Sequence, residues 1–258
     1  MFINNKVLKI FYNALLTGLP SLTYNPINKN ILHSPFIVNE YSTYINYKLD
    51  DTQIKAIKNY LKENTNDLQL SKTSIINNNK NYYISINIYN CTSPIFEFIN
   101  SEPVTRCEIN TYVVDKKGCL GTLIMDYNSN IISLDPDNLF KKSLSNHDIS
   151  FNNDHGYIYG YVNSKNYKLK FNYNTNHRYF NNKIHGELVK FSDNIFYNNG
   201  LYDKLYYDSS LIHNNIYQCN NNVAFNFLNL DFNYPESVFY FSKPINFVGG
   251  LWHNLYEQ

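Results

Sequence analysis

The chain is nearly without alanine and arginine. Only Ala14, Ala56 and Ala224 occur in 258 residues. Alanine is the strongest helix former, so its scarcity argues against a helical bundle. The two arginines are Arg106 and Arg178. Lysine and arginine together number 22 against 21 acidic residues, a formal net charge of +1. That balance excludes a strongly basic nucleic-acid binder, which needs surplus cations to neutralise phosphates. It also excludes an acidic disordered tail. The four cysteines, Cys91, Cys107, Cys119 and Cys219, include no C-x-x-C pair, and no histidine stands near them at zinc spacing. A disulfide scaffold is therefore excluded, and the thiols read as small core hydrophobes. No apolar run approaches the roughly eighteen residues of a membrane-spanning helix, so no membrane span is expected.

Sequence motifs are missing too. G-x-G-x-x-G, G-x-x-x-x-G-K, H-E-x-x-H and G-x-S-x-G do not occur. The histidines at 33, 147, 155, 177, 185, 213 and 253 form no i, i+2 or i, i+4 pair, so neither a metal nor another cofactor is implied. The opening MFINNKVLKIFYNALLTGLP has Lys6 and Lys9 before an apolar stretch. Asn13 breaks that stretch, and no small-residue cleavage site follows. It reads as an amphipathic helix with Val7, Ile10, Phe11 and Leu15 on one face, and the expectation is a soluble cytoplasmic protein.

What is abundant points to strands. There are 25 tyrosines, 17 phenylalanines and 45 asparagines. Aromatic and β-branched residues favour strands, and asparagine favours turns. Lysine over arginine, with asparagine, isoleucine and tyrosine over alanine and glycine, is the signature of AT-rich coding. An asparagine here is therefore a weak signal of anything else.

Residues 1–40 read as a helix followed by a loop arm. Tyr41–Leu49 alternates, with Tyr41, Thr43, Ile45, Tyr47 and Leu49 opposed to Ser42, Tyr44, Asn46 and Lys48. Asp50 and Gln53 form a capping box, and Ile54, Ile57 and Leu61 repeat at helical spacing, so residues 51–62 read as a helix. Asn81–Tyr89 alternates again, with Tyr82, Ile84, Ile86 and Ile88 opposed to Tyr83, Ser85, Asn87 and Tyr89. Val104–Val114 and Gly121–Tyr127 flank the hairpin loop Asp115–Gly118. Asp135-Pro136 opens a short helix through Lys142. Tyr157–Val162 and Tyr167–Tyr173 flank a second loop at 163–166. Lys183–Phe191, Ile216–Cys219, Val223–Phe232 and Val238–Phe241 complete the expected strands. The fold class is mainly β with a few short helices, a single antiparallel barrel or sandwich in one domain over residues 1–258.

The most informative segment is Thr105–Val113. Period two places Arg106, Glu108, Asn110 and Tyr112 on one face and Cys107, Ile109, Thr111 and Val113 on the other. An arginine fork matches a carboxylate, and a neighbouring glutamate can serve as general acid or base. Arg106 and Tyr112 are thus candidate ligand-binding residues, Asp126 on the following strand is a third, and Glu108 is a catalytic candidate. The plainer alternative is a solvated face carrying a surface ion pair. Lys141 and Lys142 either cap a short helix or supply an amine with a lowered pKa. The tyrosines serve cross-strand packing, with stacking of sugars or bases as the other use.

Residues 93–142, beginning SPIFEFINSEPVTRCEINTYVVDKKGCLGTLIMDYNSNIISLDP, resemble the central hairpin of acetoacetate-decarboxylase-like proteins. The shared elements are a strand leading with Arg and Glu, a Gly turn, a second strand, and an acidic loop into a short helix. The resemblance implies a cone-like antiparallel barrel with an internal cavity, binding or transforming a small carboxylate or keto compound. In the decarboxylases a lysine forms a Schiff base with a β-keto acid. The resemblance implies Lys141 or Lys142 for that role, although the glycine-containing stretch and the proline before the family lysine are missing. A second class of function fits the composition as well. It is a non-enzymatic structural or interaction protein, such as a viral assembly component, whose tyrosine-rich faces make contacts, including those of a homo-oligomer.

Overall fold

The computed structural model describes residues 37–65, 67–75, 79–92, 104–118, 120–130, 144–145, 148–174, 194–198, 201–207, 216–218, 223–241, 245–249 and 253–254. The expected N-terminal helix, the 136–142 helix and the 183–191 strand lie outside them. β1 (Ile37–Lys48) leads into helix α1 (Asp51–Asn64). The short strands β2 (Gln69–Leu70), β3 (Thr73–Ser74) and β4 (Lys80–Asn81) precede the long strands β5 (Tyr83–Thr92), β6 (Val104–Val114) and β7 (Leu120–Ser129). After β8 (Leu144–Ser145) comes a meander of β9 (Ile149–Asp154), β10 (Tyr157–Asn163) and β11 (Lys168–Asn174). β12 (Asn194–Asn198), β13 (Leu201–Tyr207), β14 (Ile216–Gln218), β15 (Phe225–Phe227), β16 (Leu230–Phe232), β17 (Ser237–Phe241), β18 (Ile245–Gly249) and β19 (His253–Asn254) complete the order.

The helix forms where the capping box predicts it. Asp50 Oδ1 accepts from Gln53 N at 2.8 Å, and Gln53 Oε1 accepts from Asp50 N at 3.0 Å. Ile57 and Leu61 are its buried residues. The β6–β7 loop also forms as expected. Asp115 Oδ1 accepts from Lys117 N, and Gly118 sits at φ 81°. One expectation is corrected. Val223–Phe232 is not a single strand but the hairpin β15–β16, turned at Leu228 and Asn229 with φ of 54° and 58°. Two consecutive positive φ values are what a two-residue hairpin turn demands. Leucine is a rare occupant of that position, so nothing in the pattern announces the turn.

Strand pairing runs in a circuit. β1 pairs with β5, β5 with β6, β6 with β7, β7 with β12, β12 with β13, β13 with β18, and β18 with the start of β1. This is the connectivity of a seven-stranded barrel. It is antiparallel except at β7–β12, which is parallel, as is the short pair β7–β8. β17 and β14 extend the sheet beside β1.

The two faces of the β1–β5–β6–β7 wall differ in chemistry. One carries Ile45, Tyr47, Ile84, Ile86, Ile88, Cys107, Ile109 and Val113. These cluster with Ile57 and Leu61 of α1, with Phe151, Ile158, Leu169 and Phe171 of the meander, and with Phe225, Phe227 and Phe232 of the β15–β16 hairpin. A barrel this narrow has room inside for side chains and one small ligand, not for a helix or a second sheet. The helix, meander and hairpin therefore pack outside the ring, and the main core lies between them and the wall. The opposite face, carrying Ser, Asn, Tyr, Arg and Glu, lines the inside.

Candidate functional site

Cross-strand register assembles the inner face row by row, because directly paired residues share a face. Arg106 on β6 is flanked by Tyr89 on β5 and Ser129 on β7. Glu108 is flanked by Asn87 and Tyr127, and Asn110 by Ser85 and Ile124. Beyond β5, β1 adds Ser42 opposite Tyr89, Tyr44 opposite Asn87 and Asn46 opposite Ser85. β17 adds Ser237 opposite Asn46. Both faces of β6 are buried over residues 107–113, and Arg106 is half-buried. Glu108 is 5% exposed, Asn110 4% and Tyr112 3%, so the alternative of a solvated face does not hold.

Glu108 is held from two sides. Tyr89 OH donates to Oε1 at 2.5 Å, and Asn110 Nδ2 donates to Oε2 at 3.2 Å. Burial pushes the carboxyl above the usual carboxylate range; the Tyr89 and Asn110 bonds and the positive charge of Arg106 pull the other way. The Arg106 guanidinium lies over the Tyr127 ring, 5.9 Å from its centroid, a cation–π contact. Tyr112 belongs to a polar chain that crosses four strands. Its hydroxyl lies 3.3 Å from Ser85 Oγ, which donates to Asn46 Oδ1 at 2.7 Å, while Asn46 Nδ2 donates to Ser237 Oγ at 3.1 Å. Such a chain fixes rotamers and leaves a rigid polar lining.

Of the sequence-derived site residues, Arg106, Glu108 and Tyr112 share this face. Asp126 does not join them. Counting straight back from the β6–β7 turn, Asn110 pairs with Ile124, and an unbroken ladder would place Asp126 opposite Glu108. A bulge intervenes: the register shifts between Ile109 and Asn110, Met125 is the extra residue, and Asp126 pairs with Ile109 on the outer face. There its carboxylate accepts from Tyr127 N at 2.7 Å and from Asn166 Nδ2. Lys141 and Lys142 lie outside the described residues. Every lysine whose side chain is described is exposed. Cys107 faces the outer core, where burial pushes its thiol up to about 12, as befits a core hydrophobe.

The sequence reading did not single out Tyr89, Asn87, Ser85 or Tyr127. The signal was present: residues 42–48, 83–89 and 106–112 each alternate Ser, Asn or Tyr against a largely apolar face. Three such strands in succession imply one shared polar wall.

The two faces also differ in hydrogen bonding. Buried polar groups on the outer face are satisfied. Asn90 Nδ2 donates to Phe151 O, Thr105 Oγ1 to Asn90 Oδ1, Thr111 Oγ1 to Tyr83 O and Asn128 Nδ2 to Tyr167 OH. On the inner face Ser42 Oγ, Asn87 Oδ1, Asn110 Oδ1 and Ser129 Oγ are buried with no partner among the described residues. Such atoms are few in native interiors, and a bound water, ion or ligand is one way in which they are satisfied. Among the described residues no group of three or more His, Cys, Asp or Glu side chains is placed to hold a metal, and no helix is long and apolar enough to cross a membrane.

Comparison with solved structures identifies the fold. An acetoacetate decarboxylase-like enzyme from Sphingomonas wittichii RW1 matches 87% of this chain over 94% of its own, with a TM-score of 0.55 and 7% identity. The enduracididine biosynthesis enzyme MppR, complexed with the condensation product of pyruvate and imidazole 4-carboxaldehyde, matches 91% over 95% of its own, with a TM-score of 0.51 and 9% identity. No family model and no curated protein matches the sequence. The fold is therefore acetoacetate-decarboxylase-like, and at these identities the likeness is one of architecture.

Proposed function

We propose that the protein binds a small carboxylate bearing a keto group against the inner face of the barrel. Arg106 takes the carboxylate as a bidentate fork, and Glu108 and Tyr112 orient the rest of the ligand. Glu108, with its raised pKa and its hydrogen bond from Tyr89, is the proton donor to the keto oxygen. The observation that carries the reading is that, among the described residues, the unpartnered buried polar atoms fall on the face that bears Arg106 and Glu108. The fold supports it, since MppR is described with a pyruvate-derived ligand. The test is calorimetric titration with pyruvate and with acetoacetate, on the wild type and on Arg106→Gln. Saturable binding that weakens at least tenfold in the variant supports the reading. Unchanged binding in a folded variant removes it. A Schiff base on Lys141 or Lys142 is the covalent form of the proposal, and borohydride reduction with acetoacetate present would fix a substrate-derived mass on one of them.

A second reading rests on β10. Tyr157, Tyr159 and Tyr161 line its outer face at 43%, 41% and 39% exposure, and the first two rings stack at 6.4 Å. A row of exposed tyrosines suits a contact surface between copies of the chain. Light scattering at high concentration, with Tyr159→Ser as the control, separates the two readings. A monomer unaffected by the substitution leaves only the ligand site.

A further inference from the structure

Along β6 the inner face changes character from one end to the other. Arg106, Glu108 and Asn110 succeed one another at two-residue steps, each roughly 7 Å along the strand. Around Arg106 lie the Tyr127 ring and the Ser129 hydroxyl. One and two steps further on the chemistry is of the opposite kind. Asn110 gives its amide nitrogen to Glu108 Oε2, which fixes the amide so that Oδ1 is the atom left over. Asn110 Oδ1 and Asn87 Oδ1 are both acceptors, both on side chains 4% exposed, and neither has a partner among the described residues. Asn87 is the direct cross-strand neighbour of Glu108, and Asn110 is two residues along the strand and bonded to its carboxyl, so both amides belong to residues that adjoin Glu108. This end of the wall offers acceptors and asks for donors.

We infer that the ligand is bipolar. It has a carboxylate for Arg106 at one end and, beyond its keto group, an amino or hydroxyl group that donates to Asn87 Oδ1 and Asn110 Oδ1. The inference rests on the proposed carboxylate site and narrows the ligand class. Both oxygens are buried and unpaired without a ligand; a ligand ending in a methyl group leaves them so, whereas a donor gains the missing hydrogen bond, which is how the site prefers the ligand that carries the matching group.

The test compares two 4-oxo carboxylates on one carbon skeleton, levulinate and 5-aminolevulinate, by calorimetric titration of the full chain. The wild type binds 5-aminolevulinate roughly tenfold or more tighter, the equivalent of one recovered hydrogen bond to a charged group. Asn87→Leu, similar in size and lacking one of the two acceptors, cuts that preference at least threefold. Should Asn87→Leu fail to fold, Asn87→Ala removes the same acceptor. Equal affinity of the two probes for the wild type overturns this inference alone. So does a preference that survives both Asn87→Leu and Asn110→Leu. Binding of neither probe removes the carboxylate reading, and this inference with it.

Discussion

Replacing Glu108 with glutamine removes one proton-binding group from the barrel interior at nearly constant volume. The glutamine carbonyl still accepts from Tyr89, and the Asn110 amide can turn to accept from the new amide nitrogen. In the wild type, burial holds the folded carboxyl above its ordinary value. Between those two values the folded protein keeps a proton that the unfolded chain has released. Stability from this group is therefore fully present below the ordinary carboxylate value. It falls as pH rises through the window and is flat again above the folded value. At its steepest the fall is about 1.4 kcal/mol per pH unit. Urea unfolding of both proteins from about pH 4 to about pH 9 isolates it, because every other titrating group is common to the two. The wild type loses stability relative to Glu108→Gln as pH rises. A difference that stays constant, or one that favours the wild type with rising pH, refutes the argument that desolvation outweighs Arg106, Tyr89 and Asn110.

Two further substitutions probe the two sides of the wall. Asn87→Leu removes a buried unpartnered oxygen worth about 1–3 kcal/mol, so the unliganded protein melts higher by roughly 2–4 °C per kcal/mol gained, measured by calorimetry. A lower melting temperature would mean that Asn87 supports the fold rather than a ligand. Gly160→Ala places a Cβ 2.1 Å from Phe171 Cζ, on a ring already packed against Phe151 and Tyr173. The ring must leave its place, and thermal unfolding should show a loss at the upper end of the ~1–3 kcal/mol range for overpacking, or beyond it.

Local signals made much of this fold readable in advance. Asp50 and Gln53 announce α1 because the capping box closes within four residues. The polar and apolar faces of β1, β5 and β6 arise from period-two alternation, which brought Arg106, Glu108 and Tyr112 together correctly. Asp126 went astray because one bulged residue, Met125, reverses the facing of the residues after it, and nothing in Leu-Ile-Met-Asp marks a bulge. The Leu228–Asn229 turn was hidden for a related reason. In a chain with 45 asparagines, one more asparagine is no turn signal, and leucine at positive φ is an unusual choice. β9 carries Asn152-Asn153-Asp154, polar residues that give no strand signal. The parallel pairing of β7 with β12 joins residues about seventy positions apart, beyond the reach of any local pattern.

The central claim is that the polar inner wall is a carboxylate site anchored by Arg106. A crystal structure of the protein soaked with pyruvate addresses it most directly. The prediction is density for the ligand on the inner face, with both carboxylate oxygens in hydrogen-bond contact with the Arg106 guanidinium and the keto oxygen toward Glu108. Ligand bound only elsewhere, or an inner face occupied by well-ordered water alone at saturating pyruvate, would contradict it.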